Sequence, residues 1–355
     1  MLYKPGIAKI IERHKAFWTG DILDRVPLRV RFTLDSMHDS QWSDALQSIK
    51  SHFSYWERYA QLRADLEDDE VPAANLDMGP AFMPAVMGGR ISFSGGTSWS
   101  EPIIHSKDDL PRLRSVRFDN TNPVIAQYLE RAAYFSEHSR GKMAVGVAML
   151  TGGGDISGFL RGLTESYTDM AEDPEWFRQL LEICTDAWIK MQRLQFQAVP
   201  SISGGYCDNY GICTPGKSTY FANDLSTCVS AGTYRSLMFE QDSRMAAALD
   251  CPWIHTHSIQ ARLIPQFLDI PRIRGIHIVN DGSSGPGLDE VFPYAQLVQK
   301  WGKCLLLRKY SMEELMPYLP RLSPKGLMID TQCGSLSQAK SIVKDFTAGQ
   351  FMKFA

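Results

Sequence analysis

Short apolar runs alternate with longer amphipathic stretches along almost the whole chain. Runs at 26–32, 73–78, 143–150, 202–206, 253–257, 275–279, 304–307 and 326–330 have the length and bulk of strands buried on both faces. Between them, apolar residues recur with helical spacing over 51–66, 122–139, 174–197, 231–249, 289–300, 312–319 and 335–346, and a further helix over 7–18 precedes the first strand. Asp173-Pro174 opens the longest of these, with a carboxylate at the N-cap and proline at the first helical position. Strands separated by helices form parallel βαβ units. Eight such units predict an α/β protein with the (β/α)8 TIM-barrel architecture, one domain over 1–355 with residues 1–25 as an N-terminal helical extension. Two segments break the rhythm. Residues 79–99, rich in Gly, Pro, Met and Ser, predict an excursion after the second strand. Residues 207–227 predict a long loop after the fourth, carrying Asp208, Tyr210, Lys217 and Asp224. Long loops at a barrel's C-terminal face are where sites are built.

Composition narrows the class of function. The 355 residues are 44% hydrophobic and 22% charged, as in ordinary globular proteins, and the formal net charge of -3 argues against a nucleic-acid-binding surface. No apolar run approaches the length of a membrane span, and Met1-Leu2-Tyr3-Lys4-Pro5-Gly6 does not read as a signal peptide, so a cytoplasmic protein is expected. The seven cysteines are odd in number and irregularly spaced, which predicts reduced thiols rather than a disulfide framework.

Candidate chemistry gathers at the ends of the predicted strands. His255 and His257, at i and i+2, share one side of a strand, and Cys333 ends another; two imidazoles and a thiolate are a plausible catalytic zinc set with one vertex open. Asp208 and Asp281 follow predicted strands and are candidate catalytic carboxylates, with Tyr210 beside the first. Asp77 has the same placement after the second strand, and Arg308 is suited to gripping an anionic group in two-point fashion. Gly152-Gly153-Gly154-Asp155 lacks the lysine and spacing of a phosphate loop. Gly153 and Gly154 are read instead as permitting close approach of a bulky ligand, or as a tight turn. His277 reads as a packed histidine.

In this order several weak motifs add up. Asp24-Arg25-Val26-Pro27 enters the first strand, Gly158-Phe159-Leu160-Arg161-Gly162 follows the third, Asp173-Pro174-Glu175 opens the long helix, and Ser230-Ala231-Gly232-Thr233-Tyr234 opens the next. The chain thereby resembles the uroporphyrinogen decarboxylase-like superfamily, whose fold is a TIM barrel. The arginine-bearing segment that binds substrate carboxylates in true decarboxylases is absent from 29–38, and Gln332-Cys333-Gly334 stands where they carry Gly-His-Gly. The second branch consists of zinc-dependent, corrinoid-linked methyltransferases with a His-X-Cys element and a distant Cys. Here the element reads His255-Thr256-His257, with Cys333 as the distant thiol.

That resemblance implies a zinc-dependent methyl transfer between a small substrate and a corrinoid (cobalamin). The corrinoid would sit on a separate protein, because no Asp-X-His-X-X-Gly motif is present. It also suggests a homodimer. Two alternatives remain open. One is a metal-free decarboxylase of a carboxylated ring compound, for which Asp77, Asp208 and Arg308 would matter and Cys333 would not. The other is a non-catalytic corrinoid or tetrapyrrole carrier.

Overall fold

A computed structural model describes residues 1–32 and 39–349. The chain forms twelve described strands: β1 Leu28–Phe32, β2 Ala73–Asn75, β3 Ile91–Ser94, β4 Thr97–Ser100, β5 Ala144–Gly146, β6 Gly205–Cys207, β7 Cys213–Pro215, β8 Tyr220–Ala222, β9 Trp253–His257, β10 Gly275–Val279, β11 Cys304–Arg308 and β12 Leu327–Cys333. β1, β12, β11, β10, β9 and β8 form a parallel six-stranded sheet in that order. β2, β5, β6 and β7 form a second sheet, parallel up to the β6–β7 hairpin. The predicted strands and the helices between them are therefore present, in an α/β fold built on parallel strands.

The ladders form two arcs, not one closed ring. At one seam, between β1 and β2, carboxylates stand in for a strand. Asp69 Oδ2 accepts from the Leu28 N–H at 2.8 Å, and Asp68 Oδ2 accepts from the Val30 N–H at 3.0 Å. The other seam closes on a glycine: a Cβ on Gly152 would lie 1.8 Å from the Ala222 carbonyl oxygen, so only glycine lets these two segments touch.

β8 lies within the segment expected to be a long loop. The run Tyr220-Phe221-Ala222 is only three residues long, and its identity as a strand comes from pairing with Trp253–His255, which no local pattern signals. The 79–99 excursion also has structure of its own, a short helix Phe82–Val86 and the β3–β4 hairpin.

Side-chain alternation sorts the sheet into two faces. Leu28, Val30, Ile254, Ile276, Ile278, Leu305, Leu307, Leu327 and Ile329 join the main core. Trp253, Cys304, Leu306 and Met328 point the other way, into a second cluster with Phe17 and Trp18. These two aromatics end the first helix, Ile7–Trp18, and plug one end of the interior. The Trp18 Nε1–H donates to the Cys213 carbonyl at 3.1 Å, so the plug is also hydrogen-bonded. No described helix is long and apolar enough to cross a membrane.

Two of the seven cysteines depart from the expectation of free thiols. Cys207 and Cys213 face each other across the β6–β7 hairpin, with Cα atoms 4.0 Å apart, and form a disulfide. Residues six apart have no reason to meet until a tight hairpin brings them into register.

Candidate active site

Above the Phe17–Trp18 plug, the inward positions turn from apolar to charged. β1 reads Leu-Arg-Val-Arg-Phe, so the period of two puts Arg29 and Arg31 on the face opposite Leu28 and Val30. Arg29 pairs with Glu70 at 2.6 Å and Asp330 at 2.9 Å, and Arg63 pairs with Asp68 at 2.6 Å and Glu70 at 3.0 Å. Arg29, Arg31 and Glu70 line a cavity of about 360 Å³, within the range of small-ligand sites.

Four of the residues singled out from the sequence converge on that cavity: Asp77, Asp208, Tyr210 and Arg308. Asp208 is buried at the end of β6. Its Oδ1 accepts from the Tyr210 and Ile212 N–H groups at 2.7 and 3.1 Å, while Oδ2 has no partner among the described residues. Burial pushes its pKa up to about 7, against those hydrogen bonds. Asp77, also raised by burial, accepts from the Gly79 N–H at 2.9 Å and from Asn209 Nδ2 at 3.2 Å. Tyr210 stacks on Tyr220, with ring centroids 5.2 Å apart, and carries the Arg308 guanidinium 3.7 Å above its own ring. Arg308 has Asp330 Oδ2 3.4 Å from its Nε, yet both Nε and Nη1 are buried without a hydrogen bond.

The histidines form an adjacent cluster. His255 and His257 do lie on one side of β9, their ring centroids 5.2 Å apart. His255 Nδ1 lies 3.0 Å from Nδ1 of His277, so the histidine expected merely to be packed is its hydrogen-bond partner. Burial holds both rings well below the usual histidine pKa. His257 Nδ1 donates to Asp281, whose other oxygen accepts from Ser258 Oγ and the Ile259 N–H at 3.0 Å each. Burial works against ionisation of Asp281, but these hydrogen bonds outweigh it and its pKa is lowered. Asp281 is thus an orienting partner of His257 and does not line the cavity.

Two expectations are corrected. Cys333 does not join the histidines. Asp330 on β12 faces inward to Arg29 and Arg308, so Cys333, three residues on, falls with Leu327, Ile329 and Thr331 on the outer face. There it packs against the main core, and its thiol donates to the Ser335 carbonyl at 3.4 Å. β10 and β11 also separate its strand from β9. Among the described residues, no group of three or more His, Cys, Asp or Glu side chains is arranged to hold a metal ion. The donors present therefore do not fit the expected zinc set.

Gly153 and Gly154, in turn, cradle protein rather than ligand. A Cβ at Gly153 would sit 2.4 Å from Thr185 Oγ1, and one at Gly154 would sit 2.4 Å from Asn223 Oδ1. Both belong to the first turn of helix Gly153–Arg161, packed against the long helix Pro174–Ala198.

Sequence reasoning missed Arg29, Arg31, Glu70 and Asp330. Charges alternating with apolar residues in a strand otherwise buried were the available signal for the two arginines. Part of the region expected to carry the decarboxylase motif, residues 33–38, lies outside the described residues.

No protein-family model matches the sequence, and no curated protein matches it. The fold does have solved counterparts. One is a methyltransferase from Methanosarcina mazei, similar over 96% of this chain and 99% of that one, with a TM-score of 0.65 and 12% sequence identity. At that identity the likeness establishes a shared fold.

Proposed function

We propose that this protein is an enzyme that moves a methyl group between a small substrate in the cavity and a corrinoid carried by a separate protein. The two parallel arcs read as a (β/α)8 barrel whose cavity opens at the C-terminal strand ends, the usual place for a barrel's chemistry. The observation that carries the reading is the convergence of Asp77, Asp208, Tyr210 and Arg308 on one cavity. It is supported by a fold shared end to end with a protein named as a methyltransferase.

The chain's own residues have defined work in this reading. Arg308, held flat by Tyr210, orients the substrate. Asp208, with a pKa near 7 and a free Oδ2, gives or takes a proton at the substrate heteroatom that loses or gains the methyl group. A corrinoid would supply the cobalt that exchanges the methyl group. A cavity of about 360 Å³ suits the small partner and leaves a macrocycle outside. No step is assigned to zinc, because the expected ligands are not gathered.

The test is to incubate the protein with reduced corrinoid and methylated small molecules and to follow methylcobalamin by its absorbance. Asp208→Asn should lower the rate by about 10²-fold or more. Absence of methylation with every donor would overturn the reading.

One observation favours a second reading, metal-free decarboxylation of a carboxylated ring compound. The cavity gathers Asp77, Asp208 and Arg308 and leaves Cys333 outside, as that reading requires. Release of carbon dioxide from such a compound, unaffected by chelators and by Cys333→Ser, would establish it.

A further inference from the structure

The arginines lining the cavity, Arg29, Arg31 and Arg308, are unequally paired. Each buried carboxylate of the 68–70 run serves two cations: Asp68 holds Lys4 and Arg63, Asp69 holds Arg13 and Arg25, and Glu70 holds Arg29 and Arg63. Asp330 is likewise shared by Arg29 and Arg308. Arg31 has no ion pair among the described residues. It lies near Arg308, and burial together with that neighbouring charge lowers its pKa to about 10. Of the other carboxyls at the cavity, Asp77 and Asp208 are both shifted towards the neutral form by burial.

The unmet hydrogen-bonding capacity is concentrated on Arg308. Arg308 is 7% exposed, with Nε and Nη1 buried and unpartnered. A buried guanidinium left short of hydrogen bonds is costly, and such groups are normally paired. Its orientation is fixed from behind by the Tyr210 ring, so it is preorganised rather than free to swing out to water. The rest of the wall includes Phe32, Trp56 and Tyr59, which present ring surface to a bound molecule.

We propose that the cavity binds a small organic monoanion, with a carboxylate seated on Arg308, assisted by Arg31, and a flat body against the aromatic wall. The proposal rests on the reading of this cavity as the substrate site and names the class of substrate that site takes. The anion completes the hydrogen bonding of Arg308 and supplies a counter-ion beside Arg31, and its body lies beside Asp208.

The test needs neither corrinoid nor metal. Trp42 and Trp56 line the cavity, so intrinsic fluorescence of the full-length protein reports its occupancy. Titration with benzoate should give a saturable change that benzamide, its neutral counterpart, does not. Arg308→Gln should weaken benzoate by about ten- to a hundredfold, the usual effect of losing a charged hydrogen bond. Arg31→Gln, which breaks no ion pair among the described residues, should weaken it less and decides the matter if Arg308→Gln does not fold. Equal response to benzoate and benzamide, no saturable response to benzoate, or benzoate binding unchanged in the folded variants would overturn the proposal. Displacement of benzoate by equimolar inorganic phosphate would overturn the organic class. Selective benzoate binding without methyl transfer would refute only the proposed function. Methyl transfer without anion selectivity would refute only this inference.

Discussion

The two halves of the interior are made by the same strands and obey opposite rules. Near the strand starts, Trp253, Cys304, Leu306 and Met328 meet Phe17 and Trp18 in a dry cluster. One or two steps further along, β1, β11 and β12 present Arg29, Arg31, Arg308 and Asp330. The lower layer is satisfied by protein, and the Trp18 indole even finds a carbonyl. The upper layer leaves Arg308 Nε and Nη1, Asp208 Oδ2 and His277 Nε2 without partners among the described residues. The first layer is packed dry, whereas the second carries unmet polar capacity, which is what a ligand site requires.

The sharpest way to break that contrast is to damage one layer at a time. Trp18→Ala removes the plug and should cost about 3–5 kcal/mol in denaturant unfolding, and added benzoate should raise its stability only by as much as it raises that of the unaltered protein. Asp330→Ala should cost a similar amount, about 3 kcal/mol or more, by leaving Arg29 and Arg308 short of a counter-ion. Here added benzoate should stabilise by more than it does the unaltered protein, because the anion replaces the lost counter-ion; an equal gain in Trp18→Ala and Asp330→Ala would erase the distinction between the layers.

The pH response adds a finer test. Asp208 has a folded pKa of about 7, above its unfolded value of about 4. Its favourable contribution is therefore complete below about pH 4 and is lost as pH rises through 7. In Asp208→Asn, the decline in stability between pH 4 and 7 should be shallower by about 2–4 kcal/mol, measured by urea unfolding at each pH.

Smaller effects are expected at the edges of the site. Cys213→Ser opens the hairpin that presents Asp208 and Tyr210, and should cost about 2 kcal/mol for so short a loop. Alkylation before and after reduction would confirm that the bond forms. Arg31→Met removes a cation with no described ion pair and should change stability by no more than about 1 kcal/mol. A large loss there would show that Arg31 already has a partner.

Much of this molecule was legible in the sequence. β9 and β10 coincide with their apolar runs, and the first helix ends at Trp18 as its pattern predicts. Hydrophobic periodicity reports which elements form, because each must bury a face. Asp77, Asp208, Tyr210 and Arg308 could likewise be found by position, since residues just beyond parallel strands share one end of the sheet. What failed were the readings in which facing or pairing is set by distant segments. The parity of Cys333 is set by Asp330, whose inward orientation becomes evident only through its contacts with Arg29 and Arg308. β8 is a strand by virtue of its neighbour, and Cys207 meets Cys213 only across a hairpin. The glycines at 153 and 154 are explained by Thr185 and Asn223, which arrive from other parts of the chain.

By itself, then, the order of residues determined the strand–helix rhythm and the placement of polar groups at the strand ends, since both follow from local periodicity and burial. The pairing of the arginines at the cavity was decided by tertiary structure alone. Whether an arginine is paired depends on which carboxylates the fold carries to it, and here Asp68, Asp69, Glu70 and Asp330 are each already shared by two cations before Arg31 is reached.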